Sequence, residues 1–134
     1  IGKITNIYNK IKPNVIYTPF NNDIHTDHQI ISKALKSTFK WFRHSYINKV
    51  LMYETVSETD FNFEQNYNFN PNIFIDISKF LDRKINIMNI YKDEVKDFPF
   101  PRSEKNIRSL AYLRGSQSGY EAAEAFQLVF ERIA

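Results

Sequence analysis

The sequence predicts a layered α/β fold, with helices covering a largely parallel sheet that is incomplete on its N-terminal side. Three observations carry this. Two short apolar runs, Val15-Ile16-Tyr17-Thr18 and Val50-Leu51-Met52-Tyr53, have the length and continuity of strands covered on both faces. They alternate with longer segments whose apolar residues recur every three or four positions, the period of a helix with one buried face. The chain also opens at Ile1, with no Met, inside what reads as the last turns of a helix. Its 134 residues are therefore expected to be the later portion of a single domain.

The elements follow in order. Ile4, Ile7, Tyr8 and Ile11 mark one helical face that stops before Pro13, and the first strand comes next. Pro19 to Asp23 is rich in turn formers and leads into Ile24-His25-Thr26-Asp27-His28-Gln29, where Thr26 and Gln29 have capping-box spacing. Ile31, Leu35, Phe39 and Phe42 then form an apolar stripe, so a helix is expected from about Asp27 to Arg43, with His44 at its C-terminus. After the second strand, Glu54, Glu58, Asp60 and Glu64 are the only charges up to Asn70, which reads as a solvated loop dotted with aromatics. Ile73 to Ile77 reads as a strand, and Phe80 to about Lys96 as an amphipathic helix. Phe98-Pro99-Phe100-Pro101 is a connector, because proline cannot continue a helix. Ser103 to Leu113 is helical again, and Gly115 is expected to end it. Residues 121–133 stay open: Ala122-Ala123-Glu124 favours helix, whereas Phe126, Leu128 and Phe130 alternate as a strand does.

Composition narrows the chemistry. The 18 basic and 15 acidic residues give a net charge of +3 with no basic run, so a nucleic-acid partner is not indicated. No apolar stretch is long enough for a membrane span and no secretory signal is recognisable, so the expected location is cytoplasmic. Cysteine is absent, which leaves His, Asp and Glu as the metal ligands. The three glycines provide no phosphate-cradling loop. Met52 and Met88 lie in apolar patterns and read as core.

One constellation carries chemistry. His25 and His28 flank Asp27 directly after a buried strand and at the start of a helix, and ligands of open α/β sheets bind beyond the carboxyl ends of strands. A helix N-terminus disfavours positive charge, so it suits His28 as a neutral imidazole, the form that binds a metal. His25, outside the helix, is better placed to meet a substrate. Asp27 is near enough to orient one of the rings. The same tetrad reads equally well as a polar, solvated helix start. Two histidines also fall short of the roughly three protein ligands of a catalytic zinc. Glu54, at a strand's carboxyl end, and Arg114 are candidates for substrate contact; each also has a plain reading, as a solvated loop residue and a helix-dipole partner respectively. The aromatics Tyr53, Phe61, Phe63, Tyr67 and Phe69 either stack on a sugar or anchor the acidic loop.

The run Pro13-Asn14-Val15-Ile16-Tyr17-Thr18 with Asn22-Asp23-Ile24-His25-Thr26-Asp27-His28 resembles the second motif of the PIG-L/LmbE-like zinc-dependent deacetylases. Arg114-Gly115-Ser116-Gln117-Ser118-Gly119, followed by Ala123-Glu124-Ala125-Phe126, resembles that family's C-terminal signature, and the order of elements between them agrees. The resemblance implies a Rossmann-like α/β/α fold, a Zn2+ cofactor and an N-acetylated amino-sugar substrate in polysaccharide, glycolipid or nucleotide-sugar metabolism, and it is compatible with a homo-oligomer. It implies that His28 is a metal ligand, that His25 acts as general acid or oxyanion stabiliser, and that Asp27 tunes His25. The family's His-Pro-Asp-Asp motif, which supplies the other ligands and the base, has no counterpart before His25. This chain alone is therefore expected to be inactive and to bind zinc weakly. The competing reading is a metal-free carbohydrate-binding or interaction module of the same fold.

Overall fold

A computed structural model describes residues 1–64 and 66–134. The elements run α1 (Gly2–Ile11), β1 (Val15–Pro19), α2 (Thr26–Thr38), β2 (Lys49–Tyr53), β3 (Ile73–Asp76), α3 (Leu81–Met88), α4 (Glu104–Ser118) and β4 (Ala123–Glu131). The strands form one sheet in the order β1-β2-β4-β3. This is the expected α/β class with a mixed sheet: β1 and β2 pair in parallel, from Val15 opposite Lys49 to Pro19 opposite Tyr53, whereas β4 runs antiparallel to β2. The chain divides into two compact units, residues 1–72 with 126–134 and residues 73–125. No helix among the described residues is long and apolar enough to cross a membrane.

In the first unit Tyr8, Ile16, Ile47 and Val50 form a buried core against which Ile4, Leu35, Phe39, Tyr46 and Phe130 pack. α2 ends at Thr38, five residues short of the expected Arg43. The Ser37 hydroxyl bonds back to the Lys33 carbonyl and the Thr38 hydroxyl to those of Ala34 and Leu35, and Phe39 turns to extended geometry to set its ring edge-on to Phe130 at 4.8 Å. Phe42 consequently leaves the stripe and is exposed. His44 is also no helix terminus. It is buried in the following turn, where Nδ1 meets the Tyr46 hydroxyl at 2.9 Å and the ring packs edge-on to Tyr8.

In the second unit Ile77, Leu81, Ala111 and Ala122 make the core. α3 stops at Met88, and Asn89 to Glu94 continues as turns because the apolar stripe gives out, with Ile90 exposed. α4 extends past Leu113 to Ser118, and the residue that ends it is Gly119, at φ +81, not Gly115. Gly115 is buried within the helix. A Cβ there would lie 2.6 Å from the Tyr120 carbonyl oxygen and 2.7 Å from that of Glu121. Ser103, 2% exposed, caps the start of α4 by accepting from the Asn106 amide at 3.3 Å. Ser103→Ala should lower stability by about 1 kcal/mol in chemical denaturation.

The open question at residues 121–133 resolves as strand. Ala122, Ala123 and Ala125 are buried, where their small size is what counts, and Phe126 and Phe130 pair with Tyr53 and Val50 of β2 on either side of a bulge at Val50–Leu51.

Candidate functional site

The parallel pairing of β1 with β2 sends two loops out from one end of the sheet. The Phe20 amide donates to the Tyr53 carbonyl at 3.0 Å, and the Ile24 amide to the Glu58 carbonyl at 3.1 Å, so residues 20–24 run beside the acidic loop. Asp23, fully buried, is the hub between them. Its Oδ2 lies 2.8 Å from His28 Nδ1, and its Oδ1 accepts from the Thr59 hydroxyl at 2.6 Å. Thr59 Oγ1 in turn accepts from the Thr55 amide at 2.8 Å, and Gln29 Nε2 donates to the Asp23 backbone carbonyl at 2.8 Å. Burial pushes the Asp23 carboxyl above the ordinary range, opposed by the Thr59 and His28 hydrogen bonds. Burial, together with the Asp23 charge, likewise pushes the Tyr53 phenol up.

This network gives the two histidines opposite hydrogen-bond roles. A carboxylate only accepts, so the Asp23 bond puts a hydrogen on His28 Nδ1, and in the neutral ring Nε2 is then the lone pair. His25 is arranged oppositely. It is the N-cap of α2, in place of Thr26, and its Nδ1 accepts from the Asp27 amide at 3.2 Å, so its Nε2 carries the hydrogen. The rings stack with centroids 5.0 Å apart and planes 28° from parallel. One therefore offers an acceptor and the other a donor within a single small patch. The expected capping box does not form, because Gln29 reaches the Asp23 carbonyl instead.

The sequence-predicted residues take distinct places. His25 and His28 come together as expected, but the carboxylate on a ring is Asp23. Asp27 touches His25 through its backbone amide and occupies the first turn of α2, where a negative charge suits the dipole. Glu54 is half-buried and follows β2 directly, at the sheet end from which the Asp23 loop leaves. Arg114 lies in α4 of the second unit, and its Nη1 donates to Gln117 Oε1 at 2.9 Å. The acidic loop is anchored in part by its aromatics: Phe69 packs edge-on to Phe20 at 5.5 Å, while Phe63 and Tyr67 are exposed. Asn22 Nδ2 adds contacts to the Glu64 carboxylate and the Tyr67 carbonyl.

Asp23 and Thr59 build the hydrogen-bond network behind His28, and the sequence pattern alone does not mark either of them. The available signal was an Asp in a turn directly after a strand, a position open to a buried orienting carboxylate but shared by countless solvated turns.

A metal-binding imidazole needs one free nitrogen and an acceptor holding the other, and His28 has both. Among the described residues no group of three or more His, Asp or Glu side chains is placed to hold a metal.

No family model matches the sequence, and no curated protein matches it. Solved structures do match in fold. An N,N'-diacetylchitobiose deacetylase from Pyrococcus horikoshii superposes with a TM-score of 0.70 at 18% identity, over 96% of this chain and 50% of its own. A conserved protein from Thermus thermophilus gives 0.70 at 18% identity, over 98% of this chain and 58% of its own. The chain thus spans between half and three-fifths of these proteins, and the fold it shares with them is a deacetylase-like α/β fold.

Proposed function

We propose that this chain is the portion of a zinc-dependent N-deacetylase, acting on an N-acetylated amino sugar, that supplies one metal ligand and the histidine facing the scissile amide. The supporting observation is the opposed hydrogen bonding of two stacked imidazoles at the carboxyl end of β1, His28 Nδ1 on the Asp23 carboxylate and His25 Nδ1 on the Asp27 amide. Zinc, when bound, lowers the pKa of its water and polarises an amide carbonyl. His28 would hold the ion through Nε2, with Asp23 fixing the ring's tautomer and angle. His25, with its Nε2 hydrogen directed by the Asp27 amide bond, would donate to the developing oxyanion or protonate the departing amine. The remaining ligands and the base would come from the His-Pro-Asp-Asp strand that the family resemblance implies. Glu54, which directly follows β2, would help form the wall of a substrate cleft, and the shared deacetylase-like fold is in keeping with a carbohydrate amide.

The test is metal content and acetate release from an N-acetylglucosamine derivative, measured on the protein that includes the His-Pro-Asp-Asp strand. His28→Ala should lose zinc and activity together. His25→Ala should keep stoichiometric zinc and lose about a hundredfold or more in turnover. Zinc retained at full occupancy in His28→Ala would sink the assignment, and a wild-type protein that binds a sugar without metal would favour the carbohydrate-binding module. The 134 residues alone should bind zinc only weakly and release no acetate.

A further inference from the structure

Residues 1–22 and 28–53 contain no Asp or Glu. α1 and its capping residue carry Lys3, Lys10 and Lys12, while α2 and the turn after it carry Lys33, Lys36, Lys40 and Arg43. None of these seven cations forms an ion pair among the described residues, whereas Lys49, just beyond them, is paired with Glu131 at 2.6 Å. α1 and α2 share the core built on Tyr8, so these charges belong to one body.

The turn adds a second, independent feature. The amides of Arg43 and His44 both donate to the Lys40 carbonyl, at 2.9 and 3.0 Å, which holds residues 40–44 tightly folded. That turn holds Trp41 and Phe42 outward, 61% and 63% exposed, with their rings edge-on at 5.9 Å and the Arg43 guanidinium 5.9 Å over the Phe42 ring. On α1, Ile7 and Ile11 are exposed between the lysines. Large apolar side chains held in water, interleaved with unpaired cations, match the boundary between headgroups and acyl chains of an anionic bilayer. Aromatic rings settle at headgroup level there and Lys or Arg side chains meet phosphate. A nucleic-acid backbone would use the cations but would gain little from exposed isoleucines.

We propose that α1, α2 and the Lys40–Arg43 turn form a peripheral docking surface for an anionic phospholipid membrane, with Trp41 and Phe42 as the inserted residues. This reading is independent of the deacetylase assignment and needs no membrane-spanning segment.

Trp41 is the only tryptophan of the chain, so its fluorescence reports insertion directly. The protein is titrated with vesicles of phosphatidylcholine alone and of phosphatidylcholine with about one-third phosphatidylglycerol, at moderate salt. A blue shift of Trp41 emission and co-sedimentation with the anionic vesicles only, both weakened by salt, are expected. The double variant Lys40→Glu, Arg43→Glu should lose at least about tenfold in partitioning. Phe42→Ser should also weaken partitioning, and both variants should keep their far-ultraviolet circular dichroism. No blue shift, or equal binding to neutral vesicles, would overturn the proposal. So would tighter binding to a DNA duplex than to the vesicles, or a blue shift that grows with protein concentration in the absence of lipid, which would mean that a second copy covers this face.

Discussion

Asp23→Ala should destabilise the protein by about 3 kcal/mol, because removing a fully buried carboxylate leaves the Thr59 hydroxyl and the His28 Nδ1 hydrogen without acceptors in a site water cannot easily reach. Three connections fail together. The acidic loop loses its tie through Thr59, the 20–24 loop loses its hub, and the His28 ring becomes free to change tautomer and angle. Asp23→Asn should be milder, since its amide oxygen can still accept from one of the two donors. Urea denaturation of both variants separates these outcomes. If Asp23→Ala unfolds with the wild-type midpoint, the buried network is not a structural hub. In the metal-binding protein, Asp23→Asn should also cost about ten- to a hundredfold in zinc affinity, the usual effect of losing a carboxylate behind a ligating histidine.

Gly115→Ala should be comparably damaging, although alanine is the better helix former by about 1 kcal/mol. The added methyl would sit 2.6 to 2.9 Å from the Tyr120 carbonyl oxygen and from the carbonyl group of Glu121, all backbone atoms that no rotamer change can move aside. The Tyr120 amide is bonded to the Gly115 carbonyl at 3.0 Å, so the returning chain cannot retreat without giving up that bond. Overpacking of this kind costs roughly 1 to 3 kcal/mol and at times more, which should exceed the propensity gain and lower the thermal midpoint by several degrees. Gly119→Ala is the informative comparison, because nothing lies within 4 Å of its Cβ position and the only cost is a left-handed backbone of about 1 to 2 kcal/mol. A Gly115→Ala protein as stable as wild type would show that the 120–121 backbone yields readily.

The glycines illustrate what a sequence pattern can and cannot carry. A glycine after an apolar stripe reads as a helix stop, and Gly115 and Gly119 both qualify. The choice between them rests on which one the returning strand crosses. His44 is similar: a histidine near the end of an apolar stripe reads as a dipole partner, yet the two back-bonding hydroxyls at Ser37 and Thr38 and the inward turn of Phe39 end α2 earlier and bury His44 against Tyr8. Residues 121–133 are ambiguous in sequence because alanine propensity and phenylalanine alternation point in opposite directions. The ladder to β2 decides for strand.

From the sequence by itself came the elements whose signal is local: the buried strands at Val15 and Val50, the helix starting near Asp27, the α/β order, and the place where chemistry should be sought, directly after β1. Periodicity and turn chemistry act over a few residues, so they are legible without a structure. Tertiary structure alone decided that the carboxylate on His28 is Asp23, that Thr59 from a loop 36 residues away completes its hydrogen bonds, and that the sheet is mixed. Those facts depend on which distant segments a fold places side by side and on what burial then does to a charge. Neither the spacing nor the identity of neighbours in sequence encodes that.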